Sequence, residues 1–496
     1  QVSEYELQSL SIDSVAVTPV CAASTMAGST EVMQRVDVKV GGDKGNLNVS
    51  SLKLKVDAMQ LADVAAVRVV ATDTASVYTA SKVLAELKPV SNADNEMALD
   101  YGITLPGTYK LWVVYDIAPT AMPQNTIKSA LQGITISGIT TDLSAAAVAK
   151  TTVASGMHGT FTVGASRKAD FPTIKAAVDA MAKGIDGPVV LNLESGSYNE
   201  VVTIKDIKGA SATNTITLRS QSGKYQDVVI YDNKYNEPGY SDDKLDKEFG
   251  VFTVYGTPYV TVEGVTVSTT DTSYPSVMRL QNGSTHFTLR NSKLLAPETE
   301  SYSANVDLFE VHVASDRPQH VSHFVTIDNN VLDGAYNALS MGAQWITNPY
   351  ETGDVITNNV FRNQGAKGIY LMDADNVTIK GNVFENNVTG KSDYDAIDIT
   401  ATGRNLIEGN TFNLATKNYC TAIYVRSMLS DEAQPSVIAN NAIRLAPEST
   451  SASYAMRFSS ASSNVNVAYN TVSLVGGGSS SAAVMLGDVV KGTFVN

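Results

Sequence analysis

Five residues of this chain could do chemistry together: Tyr370, Asp398, Tyr424, Arg426 and Arg457. They occupy equivalent places in successive copies of one repeat. Tyrosine rings on a flat surface offer apolar area with a polar tip, which suits the faces of sugar rings. Arginine offers a planar fork that matches a carboxylate or sulfate. In lyase chemistry at a uronate, Arg426 or Arg457 would neutralise the carboxylate, and Tyr424 or His312 would take the α-proton. Asp398 would pair with an arginine, which lowers its pKa, or act as the acid or base. A second group, Arg279, Gln281, Glu310 and His312, falls in earlier copies and would extend the binding surface. Glycoside hydrolysis needs two carboxylates about 5–9.5 Å apart. Glu310 and Asp398 lie three copies apart, roughly 14 Å. Hydrolysis would therefore need Asp373 or Asp395 beside Asp398, and the Asp393, Asp395, Asp398 cluster reads as turn residues at a strand start.

The repeat that must position them is clearest in GIYLMDADNVTIKGNVF (Gly368–Phe384) and AIDITATGRNLIEGNTF (Ala396–Phe412). Each copy has two short apolar runs, a variable gap, and an Asn before the last apolar pair. The Asn column is Asn330, Asn359, Asn382, Asn410, Asn441 and Asn470. A period of this size, with strands and no helix between, means a solenoid of parallel strands. Two apolar columns run through nine copies, from Phe252 to Val484 and from Val254 to Leu486. Strand alternation turns both inward and sends the residue between them outward. That outward column is Thr253, Arg279, Glu310, Ser340, Tyr370, Asp398, Tyr424, Arg457 and Met485. The next one holds Gln281, His312, Thr400 and Arg426. At about 4.8 Å per coil, the Arg279–Arg457 stretch is roughly 29 Å long and is expected to lie in water. The Asn column belongs at an inner corner, where each amide bonds the next Asn and the backbone.

Composition bounds the function. A net charge of −14, with five His and no basic cluster, argues against nucleic acid and against anionic membrane surfaces. No apolar run is long enough to span a membrane. Two cysteines, Cys21 and Cys420, build neither a metal site nor a framework of disulfides. No cofactor is expected. Asp242, Asp243 and Asp246, in a polar loop, have weak Ca²⁺ spacing and read as a solvated loop. Few lysines and abundant Ser, Thr, Asn and Gly suit a secreted or cell-surface protein.

Residues 1–140 lack the repeat. Short strands at Leu10–Thr18, Gln34–Val40, Ser51–Val56, Val67–Ala71, Tyr109–Tyr115 and Gly133–Ser137 predict an antiparallel sandwich. QRVDVKVGGDKGNLNVSSLKLKVD, LPGTYKLWVVYDIAPTAMPQNTIKSAL and GITISG resemble the β-sandwich module placed before sialidase-like domains in Bacteroidetes. That resemblance implies a secreted, surface-associated architecture without catalysis. Residues 141–158 read as a linker, rich in Ala, Thr, Ser and Gly.

From residue 159 the chain reads as the solenoid. Phe171–Lys183 predicts a helix with Ile174, Ala177, Val178 and Met181 on one face and Asp170 as N-cap, covering the coil's open end. The stretch FPTI, an apolar strand and Gly196-Ser197-Tyr198-Asn199-Glu200 resembles the start of pectinesterase-like right-handed β-helix proteins. The resemblance implies a right-handed parallel β-helix, with the Gly-x-Tyr-x-Glu motif architectural. The catalytic segments of pectinesterases and of polygalacturonases are missing, so methylesterase chemistry is not expected; a polysaccharide lyase or glycoside hydrolase would be the enzyme reading. The expected whole is all-β: a sandwich, then a right-handed parallel β-helix with an N-terminal capping helix. The expected role is engagement of extracellular polysaccharide, with a non-catalytic stalk or adhesin as the alternative. The final KGTFVN breaks off inside a coil, which predicts further modules beyond Asn496.

Overall fold

The computed structural model describes residues 7–80, 82–235, 250–299, 306–312, 321–342, 351–386, 393–459, 462–487 and 490–495. Asp242, Asp243, Asp246 and Asn496 lie outside the described residues. The chain forms two compact units: residues 1–158 with 183–187 and 208–214, and the remainder, 159–182, 188–207 and 215–496.

The first unit is a β-sandwich-like pair of sheets. One runs Ser11–Pro19, Thr30–Gly41, Gly107–Ile117, Val64–Ala71, Val83–Leu87 in spatial order, all antiparallel. The other runs Ser24–Thr25, Ala149–Val153, Thr126–Ile136, Leu47–Ala58, Asp94–Ile103. Alternation builds the core: Val36, Val38, Leu52, Leu54, Leu111 and Val113 are fully buried. The expected linker is not one throughout. Ala149–Val153 pairs with Thr126–Ile136, and Ala149, Thr151 and Val153 point inward. Small residues in alternation serve as strand there, a pattern that composition alone reads as loop. Asp116 pairs with Arg68 at 2.5 Å and Tyr115 is buried, which makes both structural.

The second unit opens in the strand Met157–Val163, and a helix shorter than expected follows, Ile174–Met181. Its buried face is the predicted one: Ile174, Ala177, Val178 and Met181. Its N-cap is Thr173, whose side chain accepts from the Ala176 amide, rather than Asp170. Asp170 instead accepts from the Thr162 amide at 2.7 Å. Glu200 accepts from the amides of Ile174 and Lys175, at 3.1 and 2.9 Å. A carboxylate there satisfies free donors at the positive end of the helix. Tyr198 directs its hydroxyl to the carbonyls of Val163 and Glu194. The Gly-x-Tyr-x-Glu motif thus holds the cap together.

The solenoid has three faces of parallel strands. The first contains Gly250–Tyr255, Ser276–Gln281, Asp307–His312, Asn337–Met341, Lys367–Asp375, Tyr394–Thr402, Cys420–Leu429, Tyr454–Phe458 and Ala482–Leu486. It is joined to the second, which includes Thr378–Lys380 and Leu406–Glu408, in one 23-stranded system. The third is a ten-stranded sheet that includes Val383–Asn386 and Thr411–Leu414. The apolar columns stack in register, Phe252 on Met278, Phe309, Leu339, Ile369, Ile397, Ile423, Met456 and Val484. They extend one coil further back, through Val202 and Ile204.

The Asn column forms a continuous ladder at the corner between the second and third faces. Asn359 Nδ2 donates to Asn382 Oδ1 at 3.0 Å and its backbone amide donates to the same oxygen at 2.9 Å. Asn382 repeats both bonds to Asn410, and Asn410 to Asn441. Each amide also donates to a backbone carbonyl of the preceding coil, as Asn382 does to Ile356. The residue before each ladder Asn is left-handed: Asn329, Asn358, Gly381, Gly409, Asn440 and Tyr469. Gly and Asn tolerate that conformation, which explains the Asn-Asn and Gly-Asn pairs of the sequence. Beside the ladder, Phe361, Phe384 and Phe412 stack with centroids 4.6 and 4.7 Å apart.

Candidate functional site

The predicted outward column exists. Thr253, Arg279, Glu310, Ser340, Tyr370, Asp398, Tyr424, Arg457 and Met485 stand in register on the first face. Its exposure differs from expectation. Asp398, Arg279, Gln281 and Ser340 are buried, and Asp398 is 0% exposed. Longer neighbours fold over it.

Those neighbours come partly from a column that strict alternation misses. Ser276, Asp307, Asn337, Lys367, Asp395, Thr421 and Tyr454 are also in register, three residues upstream of the first outward column. Between the columns each coil places two successive residues inside, as in Ala396–Ile397, Ala422–Ile423 and Ala455–Met456, all buried. The strand bends there, so the period of two breaks. The signal was present as a polar–small–apolar–polar phrase: Asp395-Ala396-Ile397-Asp398, Thr421-Ala422-Ile423-Tyr424, Tyr454-Ala455-Met456-Arg457. Asp395, expected in a turn, therefore stands in the strand.

Arg426 reaches Asp398 because of a bulge. The register shifts so that Thr400 pairs with Ser427, not with Arg426 as expected. A bulged residue is re-aimed. Arg426 turns back over the preceding coil, with Nε 2.6 Å from Asp398 Oδ1 and Nη2 2.9 Å from Oδ2. The Lys367 ammonium also ion-pairs with Asp398 and lies 3.5 Å from Asp395 Oδ2. Both oxygens of Asp398 are thus engaged by cations.

The electrostatics follow from burial and this pairing. Hydrogen bonding to Asp398 raises the Arg426 guanidinium above its ordinary pKa. Burial pulls the Lys367 ammonium down, but Asp395 and Asp398 outweigh it and leave the group raised. Burial raises Asp395, with Lys367 opposing and Asp398 adding to the rise. Tyr370 is raised by burial and by Asp398. Rings and cations interleave across the surface. Lys367 Nζ lies 4.9 Å from the Tyr370 ring centre. The Arg426 and Arg457 guanidinia lie 4.8 and 4.7 Å from the Tyr424 ring centre, and Arg457 lies 5.7 Å from that of Tyr454. These are cation–π distances.

The earlier group assembles separately. Glu310 Oε1 lies 3.4 Å from Arg279 Nη2 and 3.1 Å from His312 Nδ1. Asp307, from the unanticipated column, accepts from Asn337 Nδ2 at 2.9 Å. Burial, with Glu310 adding to it, pushes the Asp307 carboxyl up to about 8. Glu310 is lowered, because Arg279 and His312 outweigh its burial. Gln281 stands beside His312 on the adjacent coil. The coil of Ser340 separates this group from Tyr370. Glu310 and Asp398 are three coils apart, as the sequence indicates; Asp395 meets Asp398 through their shared Lys367.

Among the described residues, no group of three His, Cys, Asp or Glu is placed to hold a metal ion. No helix among them is long and apolar enough to cross a membrane. The family model for the right-handed β-helix region matches residues 282–484. None of the curated proteins compared matches the chain. Among solved structures, the catalytic unit of a GH87 α-1,3-glucanase from Streptomyces thermodiastaticus is 13% identical, covering 98% of this chain and 94% of that one, with a TM-score of 0.37. PfbA, a surface adhesin of Streptococcus pneumoniae, is 15% identical over 65% of this chain and 87% of its own, with a TM-score of 0.40. A pectin methylesterase from Aspergillus niger is 12% identical over 66% and 90%, with a TM-score of 0.26. The chain is a nearly all-β protein in which a β-sandwich-like unit is followed in sequence by a right-handed β-helix region.

Proposed function

We propose that the first face of the solenoid, over the coils from Lys367 to Phe458, binds extracellular polysaccharide. The reading rests on the interleaving of rings and cations along Tyr370, Tyr424, Arg457 and Tyr454 on one sheet face. Sugar rings stack on tyrosine, and arginine binds their polar substituents. The sheet fixes these groups before the ligand arrives, which lowers the ordering cost of binding.

Binding fits better than turnover. Asp398 is buried with both oxygens paired, so it acts as a positioning residue that holds Lys367 and Arg426. A general base must reach the proton it takes. In this reading the protein is secreted or displayed at the cell surface, and the sandwich is a separate module.

The test is binding of soluble polysaccharides measured by affinity electrophoresis and calorimetry. Tyr424→Ala should weaken binding roughly threefold to tenfold, the worth of one aromatic contact, without a change in melting temperature. Unchanged binding in Tyr424→Ala would move the site elsewhere. No binding to any glycan would leave the solenoid as a rigid stalk.

A further inference from the structure

We propose that the corner where the first face turns into the second is a separate binding shelf for a neutral, hydroxyl-rich sugar polymer laid along the solenoid axis. Its wall is Tyr259, His286 and Phe324, one from each of three successive coils. Their amides bond in step to the coil that follows: Tyr259 to the Thr285 carbonyl at 3.0 Å, His286 to His323 at 2.8 Å and Phe324 to Thr352 at 2.9 Å. The three rings stack, with centroids 4.4 and 4.8 Å apart. Its floor is a row of half-buried threonines in register on the second face: Thr217, Thr261, Thr288 and Thr326. The row resumes at Thr378 after Val355. The turn itself does not ask for these rings. All three residues are left-handed, with φ of 58°, 57° and 58°. The next two coils place Gly353 and Asn376 at the same corner, residues that accept this conformation. Tyr and Phe accept it at a cost, and strain of that kind collects at ligand sites. Phe324 ends the stack 47% exposed, and Gly353 leaves it room, since a Cβ there would lie 2.5 Å from the ring.

The chemistry of the shelf selects the ligand. Neither the Tyr259 hydroxyl nor those of Thr217, Thr261, Thr288 and Thr326 bond to another described residue, so all five are open to a ligand. His323 stands beside Phe324 and accepts from the Thr352 amide on Nδ1 at 3.2 Å, which leaves the hydrogen on Nε2 as a donor. Burial, with His286 adding to it, holds the His323 imidazole below its ordinary pKa. The column beyond the threonines is charged but balanced. It carries Arg219, Glu263, Arg290, Asp328, Lys380 and Glu408, three cations and three carboxylates. Arg290 pairs with Glu263 at 2.9 Å and Lys380 with Glu408 at 2.7 Å, while Asp328 accepts from Thr357 Oγ1 at 2.6 Å. A charged polymer therefore finds no net field here. Rings stacked along the axis turn their edges sideways, and an aromatic edge is the positive side of the ring, which attracts a sugar oxygen. Threonines about 4.8 Å apart offer each successive sugar a donor and an acceptor. The shelf lies on coils before Lys367 and stands whether or not the first face binds sugar.

The experiment offers the full chain three polymers: dextran, hydroxyethyl cellulose and polygalacturonate. Binding is measured by calorimetry at low and at moderate salt, with melting temperature recorded for every variant. At least one of the two neutral polymers should bind, with an affinity that salt leaves unchanged. Phe324→Asn gives this corner the residue that Asn376 already supplies, so it should melt no lower than the parent. It should lose roughly threefold to tenfold of the affinity, the worth of one aromatic contact. Thr288→Val removes one hydroxyl and keeps the branched shape, and should lose about threefold to tenfold as well. If Phe324→Asn melts lower, Thr288→Val decides alone. Tyr424→Ala should bind the neutral polymer as the parent does. Neutral binding lost in Tyr424→Ala but kept in both corner variants would overturn the shelf and leave the first-face reading standing. Polygalacturonate bound while both neutral polymers are refused would do the same, and neutral binding that collapses with salt would overturn the argument from balanced charge. No binding to any of the three would remove both sites.

Discussion

Two ladders of polar side chains climb this solenoid, one inside its corner and one outside its first face. Inside, the same residue stands on every coil from Asn330 to Asn470, and each Asn from Asn330 to Asn441 makes the same three bonds. Outside, neighbouring coils carry Ser340, Tyr370, Asp398, Tyr424 and Arg457, no two alike in succession. Repetition of one residue marks a position that the architecture dictates. Variation at a position that remains in strict register marks one that the architecture has released. The outer ladder divides again. Its early part, Arg279, Glu310, His312 and Asp307, closes on itself in ion pairs and hydrogen bonds. Its later part holds the Arg457 guanidinium beside two rings, with no ion pair among the described residues.

The largest effect should come from breaking the inner ladder. Asn382→Leu removes the acceptor for two Asn359 donors and the donor to Ile356. Buried groups left without partners cost about 1–3 kcal/mol each, so the loss should be about 3–6 kcal/mol in denaturant unfolding. A loss below 1 kcal/mol would mean that the ladder is ornamental. Phe384→Ala, in the middle of the three-ring stack, should cost about 3–5 kcal/mol by the same measurement.

On the outer ladder, Asp398→Asn should cost about 3 kcal/mol, since it strips two cations of their buried partner. It should also loosen Arg426, visible as a lost fork in a crystal structure of the variant. Asp307 supplies a pH dependence. Its folded pKa of about 8 exceeds that of an unfolded aspartate, about 3.9. The folded state therefore holds an extra proton between those values, and stability falls as pH rises from about 4 to 8. Glu310 is lowered, so its contribution is lost only as pH falls below the usual carboxylate range. Asp307→Asn should melt higher than the parent at pH 8 and no higher at pH 4. The smallest change in stability is expected for Arg457→Met, about 1 kcal/mol below the parent, because the half-buried guanidinium packs against the Tyr424 and Tyr454 rings and has no ion pair to lose among the described residues.

The solenoid, its register and its Asn corner were legible in the sequence because each follows from a period. The apolar columns needed only alternation, and the ladder needed only an amide that recurs. The site was legible in part. Tyr370, Asp398, Tyr424 and Arg457 fell in the right column. Lys367, Asp395, Asp307 and Tyr454 did not, because two successive inward residues bend the strand and shift the outward phase. The burial of Asp398 was hidden for another reason. It depends on Lys367 folding across one coil and on a bulge that turns Arg426 back, and neither leaves a periodic trace. The Asp170 cap failed on a local contest: Thr173 stands nearer the helix start, while Asp170 is taken by the Thr162 amide.

The most direct test of the outer face as the working surface is hydrogen exchange measured with and without polygalacturonate. The account predicts added protection in Lys367–Asp375, Tyr394–Thr402, Cys420–Leu429 and Tyr454–Phe458, and none in Thr411–Leu414 or Ala442–Leu445 on the third face. Protection confined to the third face, or bound polymer with no protection in the first, would contradict it.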